Sequence, residues 1–347
     1  MIDSVFRTIP FVIGFLFSMT IPTHCIDKIP DESGFSGYVN IGAAYVRVKS
    51  NTVTGIKSWD VSKKHIASLD EKPDSESTGL PVFNAELRYT FAPQRTQLFF
   101  GNSLEDLLRL ETAGQIGVRR ELGNAGIAAA GVVFSSLPTE VWEDPYVIDQ
   151  DREETDRSST GVRLTWDRIF GSELQLEYTY RTIDIDTERS GTFLGLSPDE
   201  AALLDRNGNR HTAEILYRIF SDTQKHRFLP SIQYSRFDLD GEAMSSDTYQ
   251  FQLSYGYEGT KFSLVANGMI NKADFDKRNP IYNKTREDDN WGGAVMIFYR
   301  KPFGWQGPPF IRGWSLWVNW AYYELDSNID FYDSTFELYA AGFLFVF

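Results

Sequence analysis

Nine charged residues occupy alternate positions of runs whose other positions are mostly apolar or aromatic. They share one face of extended segments, because successive side chains of a strand point to opposite sides. Inside a conducting barrel, such carboxylates and guanidinium groups set a transverse field and an ion selectivity. Inside a filled barrel they pair as structural salt bridges, and the sequence leaves both alternatives open. The nine are Glu86, Arg88, Arg163, Asp167, Glu177, Arg181, Glu214, Arg218 and Glu258.

Hydrolytic chemistry would need a histidine beside a carboxylate or a nucleophilic hydroxyl. After the N-terminal segment, the sequence retains His65, His211 and His226. His211 stands near Thr212 and Glu214, but no serine-containing motif accompanies any of the three histidines. A hydrolase is therefore the least favoured interpretation, and we predict that the protein is not an enzyme.

Two acidic stretches are candidates for cation binding. Residues 139–157 hold eight carboxylates and two arginines, which suits divalent cations bridging to lipopolysaccharide, a cationic solute, or simply a solvated loop. Residues 205–209 place oxygen ligands at alternate positions, but the glycine and the glutamate that a calcium loop requires are missing from their places. A helix ending there is preferred, since Ser197, Pro198 and Glu200 form a capping box. We predict no metal site and no cofactor.

The last stretch of the chain shows which element would position the charges. Tyr339, Ala341, Phe343, Phe345 and Phe347 fall on one face of an extended strand. A soluble protein normally blunts such an apolar edge, whereas a closed barrel in a bilayer turns it toward lipid. The pattern is typical of the terminal strand of Gram-negative outer-membrane barrels, which the barrel-assembly machinery reads.

Comparable segments recur along the chain at the length of a tilted membrane strand, about ten residues. Fourteen of them predict an all-β, up-and-down antiparallel transmembrane barrel, with twelve and sixteen as neighbouring counts. They cover about residues 35–48, 83–91, 95–102, 112–122, 125–137, 160–168, 174–181, 211–220, 227–239, 248–258, 261–271, 291–300, 313–323 and 332–347.

The connections between these segments alternate in length. Bacterial barrels place long loops outside and short turns in the periplasm. The alternation therefore predicts an even strand count, both chain ends in the periplasm, and short helical pieces in the long loops. Long connections at about 51–81, 103–110, 138–159, 182–210, 240–247, 272–290 and 325–331 alternate with short ones at 92–94, 123–124, 169–172, 221–225, 259–260 and 302–310.

Composition excludes two other classes of protein. Aromatic residues make up 15% of the chain while the mean hydropathy is −0.31, which excludes a helical membrane protein and suits a barrel with a polar lumen. The net charge of −14 argues against nucleic acid as a partner, because phosphate binding needs basic residues.

The N-terminal segment has the composition of a secretory signal peptide. Its apolar run, between Arg7 and Cys25, is shorter than the roughly 20 residues that span a bilayer. We predict a signal peptide at residues 1–25, with cleavage after Cys25, followed by a barrel over residues 26–347. The mature protein would then have no cysteine.

Five stretches resemble a family of Gram-negative outer-membrane proteins defined as a domain of unknown function. They are GFSGYV at 34–39, LRYTF at 87–91, GNSLED at 101–106, PTEVWEDP at 138–145 and DREETD at 151–156. The resemblance covers the mature chain and implies a signal peptide and an outer-membrane barrel. It implies no activity.

The sequence thus predicts an exported, multi-pass protein of the bacterial outer membrane, in contact with lipid and lipopolysaccharide. Porin-like, weakly selective passage of small polar solutes is the expected function, because the inward charges have mixed signs. The alternative is a closed barrel whose acidic loops serve adhesion or envelope integrity.

Overall fold

The computed structural model describes residues 28–56, 59–102, 113–135, 139–304 and 310–347. The signal peptide predicted at residues 1–25 lies outside these ranges. The described strands are β1 (Gly34–Lys49), β2 (Val53–Ile56), β3 (Trp59–Asp60), β4 (Ser75–Phe91), β5 (Thr96–Asn102), β6 (Ala113–Glu121), β7 (Ile127–Ser135), β8 (Thr139–Trp142), β9 (Glu154–Asp167), β10 (Leu174–Ile185), β11 (Gly208–Tyr217), β12 (Ile219–Phe220), β13 (His226–Leu239), β14 (Ser246–Glu258), β15 (Phe262–Asn279), β16 (Lys284–Arg300), β17 (Gly313–Ser327) and β18 (Ser334–Val346).

Fourteen of the eighteen strands form a closed wall. Of the other four, β12 continues β11 beyond Arg218, while β2, β3 and β8 belong to the long connections. Wall neighbours pair antiparallel, and β1 closes the circle by pairing with both β4 and β18. Closure satisfies the backbone groups that a free edge would expose. The predicted fourteen-stranded, all-β antiparallel barrel is confirmed.

The two ends of the barrel differ in their connections. The turn end carries the short connections and the ends of β1 and β18, where Gly37 N donates to Phe347 O at 3.0 Å. The loop end carries the long connections. One of them contains α1 (Pro198–Ala202), which begins at Ser197 with the predicted capping box. No helix among the described residues is long and apolar enough to cross a bilayer.

The outer face of the wall is apolar over most of its height. Alternate side chains of the wall strands are exposed aliphatic or aromatic groups, because the strand period sends every second residue outward. We call this surface the apolar belt. It includes Ile41, Leu98, Ile116, Val162, Leu164, Ile215, Ile232, Phe251, Ile270, Trp291, Val318, Trp320 and Phe343. Water solvates such a continuous surface poorly, whereas hydrocarbon solvates it well.

Several strands run further toward the loop end than the sequence predicted. The long connection expected at 272–290 is wrong for most of its length, since β15 ends at Asn279 and β16 begins at Lys284. The connection expected at 51–81 already contains β4 from Ser75. These extensions carry polar side chains on both faces. The backbone ladder therefore continues while the apolar alternation, which marks only the belt, disappears.

Aromatic rings fill gaps left by glycines on the inner face. The Trp317 ring covers Gly42 and Gly342, where an added Cβ would stand 2.8 and 2.6 Å from the ring. The Phe99 ring covers Gly117 and Gly131 in the same way. Because glycine has no Cβ, the rings lie against the backbone of the neighbouring strands without a steric clash.

Candidate functional site

Charged side chains concentrate on one side of the interior, toward the turn end, and we call this surface the charged arc. It comprises the inner side chains of β4 to β11 in their turn-end halves. Arg163 Nε lies 3.1 Å from Glu177 Oε1 and donates to Thr179 Oγ1 at 3.0 Å. Arg218 Nη2 meets Asp167 Oδ1 at 2.6 Å. Both pairs are almost fully buried. A buried charge needs its opposite charge at contact distance to offset the loss of hydration, and both pairs meet that requirement.

A second chain of contacts crosses β4, β5 and β6. Glu86 and Arg88 form an ion pair on the inner face of β4. On the neighbouring strands, Arg119 Nε donates to Gln97 Oε1 at 2.8 Å, and Gln97 Nε2 donates to Thr90 Oγ1 at 2.7 Å. Donors and acceptors therefore alternate across three strands, as a hydrogen-bonded network requires.

A cavity of about 100 Å³ lies against the charged arc. It is large enough for several water molecules. Small residues of β7, Ala129 and Gly131, leave this room, and the Phe99 ring borders it. The polar lining consists of Glu86, Arg88, Gln97, Gln115, Arg119, Arg163, Thr165, Asp167, Gln175 and Glu177.

The structure brings five of the nine predicted charges to this cavity: Glu86, Arg88, Arg163, Asp167 and Glu177. Seven of the nine are buried, whereas Glu214 and Glu258 are half-buried. The remaining four stand apart from the lining. Arg218 reaches it through Asp167, and Arg181 Nη1 donates to Ser159 Oγ at 3.4 Å. Glu258 pairs with Arg227 at 3.1 Å and with Arg300, further around the wall.

The opposite side of the interior is packed with hydrophobic side chains, and we call it the apolar arc. It is formed by the inner faces of β15 to β18, β1 and the loop-end half of β4. Trp317 lies at its centre and donates from Nε1 to Asn40 Oδ1 at 2.6 Å. Val61, from the connection between β3 and β4, also packs here, so that connection folds into the barrel. The buried set is Tyr38, Ala44, Val46, Val48, Val61, Leu80, Val82, Val265, Ala294, Met296, Phe298, Trp317, Ala321, Phe336, Leu338 and Leu344.

Long connections meet above the loop end in a second hydrophobic cluster, which we call the lid. Its buried residues are Tyr146, Leu204, Ala243, Ile329, Phe331 and Tyr332. The hydroxyls of Tyr146 and Tyr332 hydrogen-bond at 2.6 Å, and Asn279 Nδ2 donates to Tyr332 Oη at 2.8 Å. Burial raises the pKa of both tyrosines above the ordinary value. The lid therefore joins four connections through apolar contacts and shared hydroxyls.

Arg152 joins one connection of the lid, the one after β8, to the connection between β1 and β4. Its side chain is 2% exposed and lies 4.1 Å from the centre of the Trp142 ring. The guanidinium donates to the carbonyls of Asn51 at 2.7 Å, Pro145 at 3.2 Å and Lys63 at 2.5 Å. Burial lowers the pKa of Arg152 to about 10. The guanidinium thus bridges the connection after β1 to the connection after β8.

The acidic stretch at 139–157 is partly built into the fold. β8 occupies its first four residues. The buried Asp144 carboxylate accepts from the backbone of Tyr146 at 3.0 Å, Gly191 at 3.0 Å and Phe193 at 2.9 Å. Within the described residues, no group of three or more His, Cys, Asp or Glu is arranged to hold a metal ion. Asp144 is therefore a turn-stabilising group.

The histidines stand away from the charged arc. His211 Nδ1 and the Tyr178 hydroxyl hydrogen-bond at 2.8 Å on the outer face, whereas Thr212 and Glu214 point inward. His226 pairs with the Tyr255 hydroxyl at 2.8 Å in the same manner. His65 lies 3.7 Å from Asp151 at the exposed loop end. The neighbours that a hydrolase would need beside His211 are thus on the opposite side of the wall.

The terminal strand presents its aromatic residues outward. Tyr339 and Phe343 are exposed on the belt, and Phe345 and Phe347 are half-buried near the turn end. Glu337, which shares their face, lies near the loop-end start of β18, opposite Arg47 in register. It accepts a hydrogen bond from the Tyr339 hydroxyl at 2.6 Å. Its carboxylate therefore lies at the rim of the belt, and the strand needs no bulge to place it there.

Sequence reasoning missed several residues of these sites, among them Gln97, Gln115, Arg119 and Arg152. Gln97 and Arg119 stand in short strands with weak alternation. Which of their residues face inward follows only from the pairing register of β5 with β4 and of β6 with β5. In the sequence, Arg152 is one of two cations in an acidic stretch. Arg152 stands two residues before β9, and nothing in the neighbouring sequence indicates that its side chain is buried.

Comparisons with known proteins concern the barrel as a whole. A family model described as "Protein of unknown function (DUF2860)" matches residues 34–346. No curated protein matches the sequence significantly. Among solved structures, the chain is similar to a loop-deletion mutant of OmpT, an outer membrane protein of Vibrio cholerae, with 9% identity, TM-score 0.41 and coverage of 91% of this chain and 99% of that one.

Two further structures are similar at the same level. The outer membrane channel DcaP of Acinetobacter baumannii gives 10% identity, TM-score 0.41 and coverage of 91% of this chain and 97% of that one. A FadL homologue of Pseudomonas aeruginosa gives 10% identity, TM-score 0.41 and coverage of 90% of each chain. Similarity this low carries no information about solute or activity.

Proposed function

The chain belongs to the DUF2860 family, whose function is unknown, and from its geometry we propose that it is a channel for small polar solutes in the bacterial outer membrane. A closed wall with an apolar belt is stable in a bilayer, and antiparallel barrels of this kind belong to outer membranes. In the proposed orientation, the turn end faces the periplasm and the loop end faces outward, among lipopolysaccharide. The barrel-assembly machinery would recognise the outward face of β18.

The observation that carries the proposal is the buried charged arc around a cavity. Replacing a buried ion pair by well-packed apolar residues is often neutral or stabilising. The apolar arc shows that this interior can be packed in that way. Charges kept inside the same wall therefore favour a role that uses water and solute.

Selectivity in this proposal is weak. Arg163 with Glu177, and Arg218 with Asp167, neutralise each other at contact distance. Paired charges produce short-range dipoles rather than a field of one sign across the lumen. Small neutral and zwitterionic solutes are therefore favoured over large ions of either sign.

Passage requires the loop end to open. The lid and the inward-folded connection with Val61 occupy that end, and Arg152 holds them together. Opening is therefore a movement of loops on a fixed wall, on the microsecond-to-millisecond timescale of such motions. The structure then represents the closed state of the proposed channel.

Single-channel recording in a planar bilayer tests the proposal. We expect rare, small conductance steps from the native protein and more frequent steps from Arg152→Met, which loses the carbonyl contacts. The matched control is Arg189→Met, since Arg189 is an exposed loop arginine whose side chain pairs with Glu143 at 3.2 Å. Silence from the native protein and from Arg152→Met would contradict a channel.

A second candidate is a closed barrel that serves adhesion or envelope integrity. The lid favours it, because a hydrophobic cluster with shared tyrosine hydroxyls is a rigid surface rather than a set of mobile loops. In this case all variants remain silent in bilayers. Deletion of the gene would then weaken the envelope against detergents or reduce cell attachment without changing solute uptake.

A further inference from the structure

Two connections at the turn end repeat one backbone pattern. Arg168, Ile169, Phe170 and Gly171 link β9 to β10, and Lys301, Pro302, Phe303 and Gly304 follow β16. In both, the basic residue, the phenylalanine and the glycine have positive φ. The angles are 52°, 50° and 78° in the first turn and 44°, 60° and 74° in the second. The second residue of each, Ile169 or Pro302, is buried.

The phenylalanines at the tips are held in an unfavourable backbone region and exposed at the same time. A non-glycine residue in the left-handed region costs about 1–2 kcal/mol. Phe170 is 76% exposed and Phe303 is 95% exposed. In water this arrangement combines backbone strain with a ring that is mostly unburied. An apolar surrounding that covers both rings would supply the missing stabilisation.

Outward aromatic side chains of the wall stand next to the connections that carry the two tips. The Phe170 ring contacts the outward Trp166 ring edge-to-face, with 5.6 Å between ring centres. Near the other tip, Phe262 and Tyr299 stack on the outer face at 4.9 Å. The two turns lie six wall strands apart in a circle of fourteen, and therefore on nearly opposite sides of the barrel. Contacts at both would fix the depth and the tilt of the wall.

We propose that Phe170 and Phe303 insert into the phospholipid interface around the turn end and anchor the barrel from two sides. A basic residue stands two positions before each ring. Lys301 is exposed, whereas Arg168 is half-buried and lies 3.5 Å from Glu173. Rings at the acyl boundary with cations at the phosphate level are the chemistry of interfacial anchoring. This inference needs only a membrane-embedded barrel, so it does not depend on whether the lumen conducts.

Site-specific fluorescence in lipid vesicles tests the anchors. The full chain with Cys25→Ser has no other cysteine, so Phe170→Cys and Phe303→Cys can each carry a single environment-sensitive dye. Thr223→Cys is the matched control, because Thr223 is exposed in the equivalent connection between β12 and β13 and lacks a neighbouring aromatic tip. Vesicles contain phosphatidylethanolamine and phosphatidylglycerol, with bromine placed high on the acyl chains.

We expect bromolipid to quench the dye at positions 170 and 303 and to leave the dye at 223 bright, while aqueous iodide gives the reverse order. Iodide quenching at all three positions would overturn the proposal. Protection that appears only after a periplasmic extract is added would also overturn it, by assigning the tips to a protein partner. As a second measurement, Phe170→Ser with Phe303→Ser should lower the urea midpoint in vesicles and leave it unchanged in detergent micelles.

Discussion

The charged arc and the apolar arc line the same barrel, yet the chain fills them by opposite means. Around Trp317, the inner positions are closed by side chains that touch one another and leave little room. Around Arg163, small residues of β7 leave a cavity, and polar groups line it. Wall geometry is similar on both sides, because the same antiparallel ladder runs through them.

The difference teaches that the wall alone does not decide whether a barrel of this size is filled. A wall of fourteen strands leaves an interior that side chains can close on one side and water can occupy on the other. We therefore expect the function to depend on the charged arc, where the packing is incomplete. Removing an interior side chain should therefore have different consequences on the two arcs.

The largest effect is expected at the centre of the apolar arc. Trp317→Ala removes a ring packed against two glycines and should lower the free energy of unfolding by about 3–5 kcal/mol, because the cavity cannot refill. The control is Trp320→Ala, which faces the belt and leaves no cavity. Urea unfolding in lipid vesicles measures both. Equal losses would show that the apolar arc is not packed as a core.

Breaking one ion pair of the charged arc should cost nearly as much. Arg218→Met leaves Asp167 buried without its partner and should lower the free energy of unfolding by about 3 kcal/mol. Adding Asp167→Leu removes the orphaned carboxylate and should restore most of the loss, which a double-mutant cycle quantifies. A loss below about 1 kcal/mol would mean that water screens the pair as it does at a surface.

A smaller, local effect is expected in the lid. Tyr332→Phe removes the hydroxyl that joins Tyr146 and Asn279, and should ease local opening by about 1–2 kcal/mol. The control is Tyr282→Phe, which should have the weaker effect, because the Tyr282 hydroxyl donates to the Leu69 carbonyl at the longer distance of 3.2 Å. Hydrogen exchange of the loop amides measures both. Unchanged exchange in Tyr332→Phe would show that the apolar contacts alone hold the lid.

The smallest effect is expected at α1. Ser197→Ala removes the side chain that accepts from the Glu200 amide and should destabilise this short helix by about 1 kcal/mol. The consequence should stay local, with faster amide exchange at residues 199–202 and an unchanged urea midpoint for the barrel. A shifted midpoint would mean that α1 and the wall unfold together.

The sequence predicts the wall well because lipid imposes a period of two on the outer face. Residues 83–91 of β4 and most of β14 have an apolar residue at almost every outward position, and the existence and orientation of these strands follow from that alternation. Where the strands extend beyond the apolar belt toward the loop end, lipid no longer imposes the period of two on their sequence. Arg286, for example, stands in β16 yet packs over the Phe275 ring at 4.5 Å, so neither face of the strand is marked as apolar there.

The interior was harder to predict for a different reason. Val46, Val82 and Leu338 are as apolar as their outward neighbours, so these segments look hydrophobic on both faces and do not reveal that one face is a packed core. The inward charges were visible, but their partners were not. Arg163 and Glu177 meet only because β9 and β10 pair with Thr179 opposite Arg163, and that register depends on the turn at 169–171.

The ring of Trp317 over Gly42 and Gly342 has a consequence for the history of the family. Three positions on three different strands share one volume. A side chain gained at either glycine therefore requires the ring to shrink, and it also requires the paired strands to shift, because the new Cβ would stand 2.4 Å from Ala341 O or 2.3 Å from Ile41 O. Among relatives, these positions should therefore change as a set, and a bulky residue at 42 or 342 should coincide with the loss of the indole at 317.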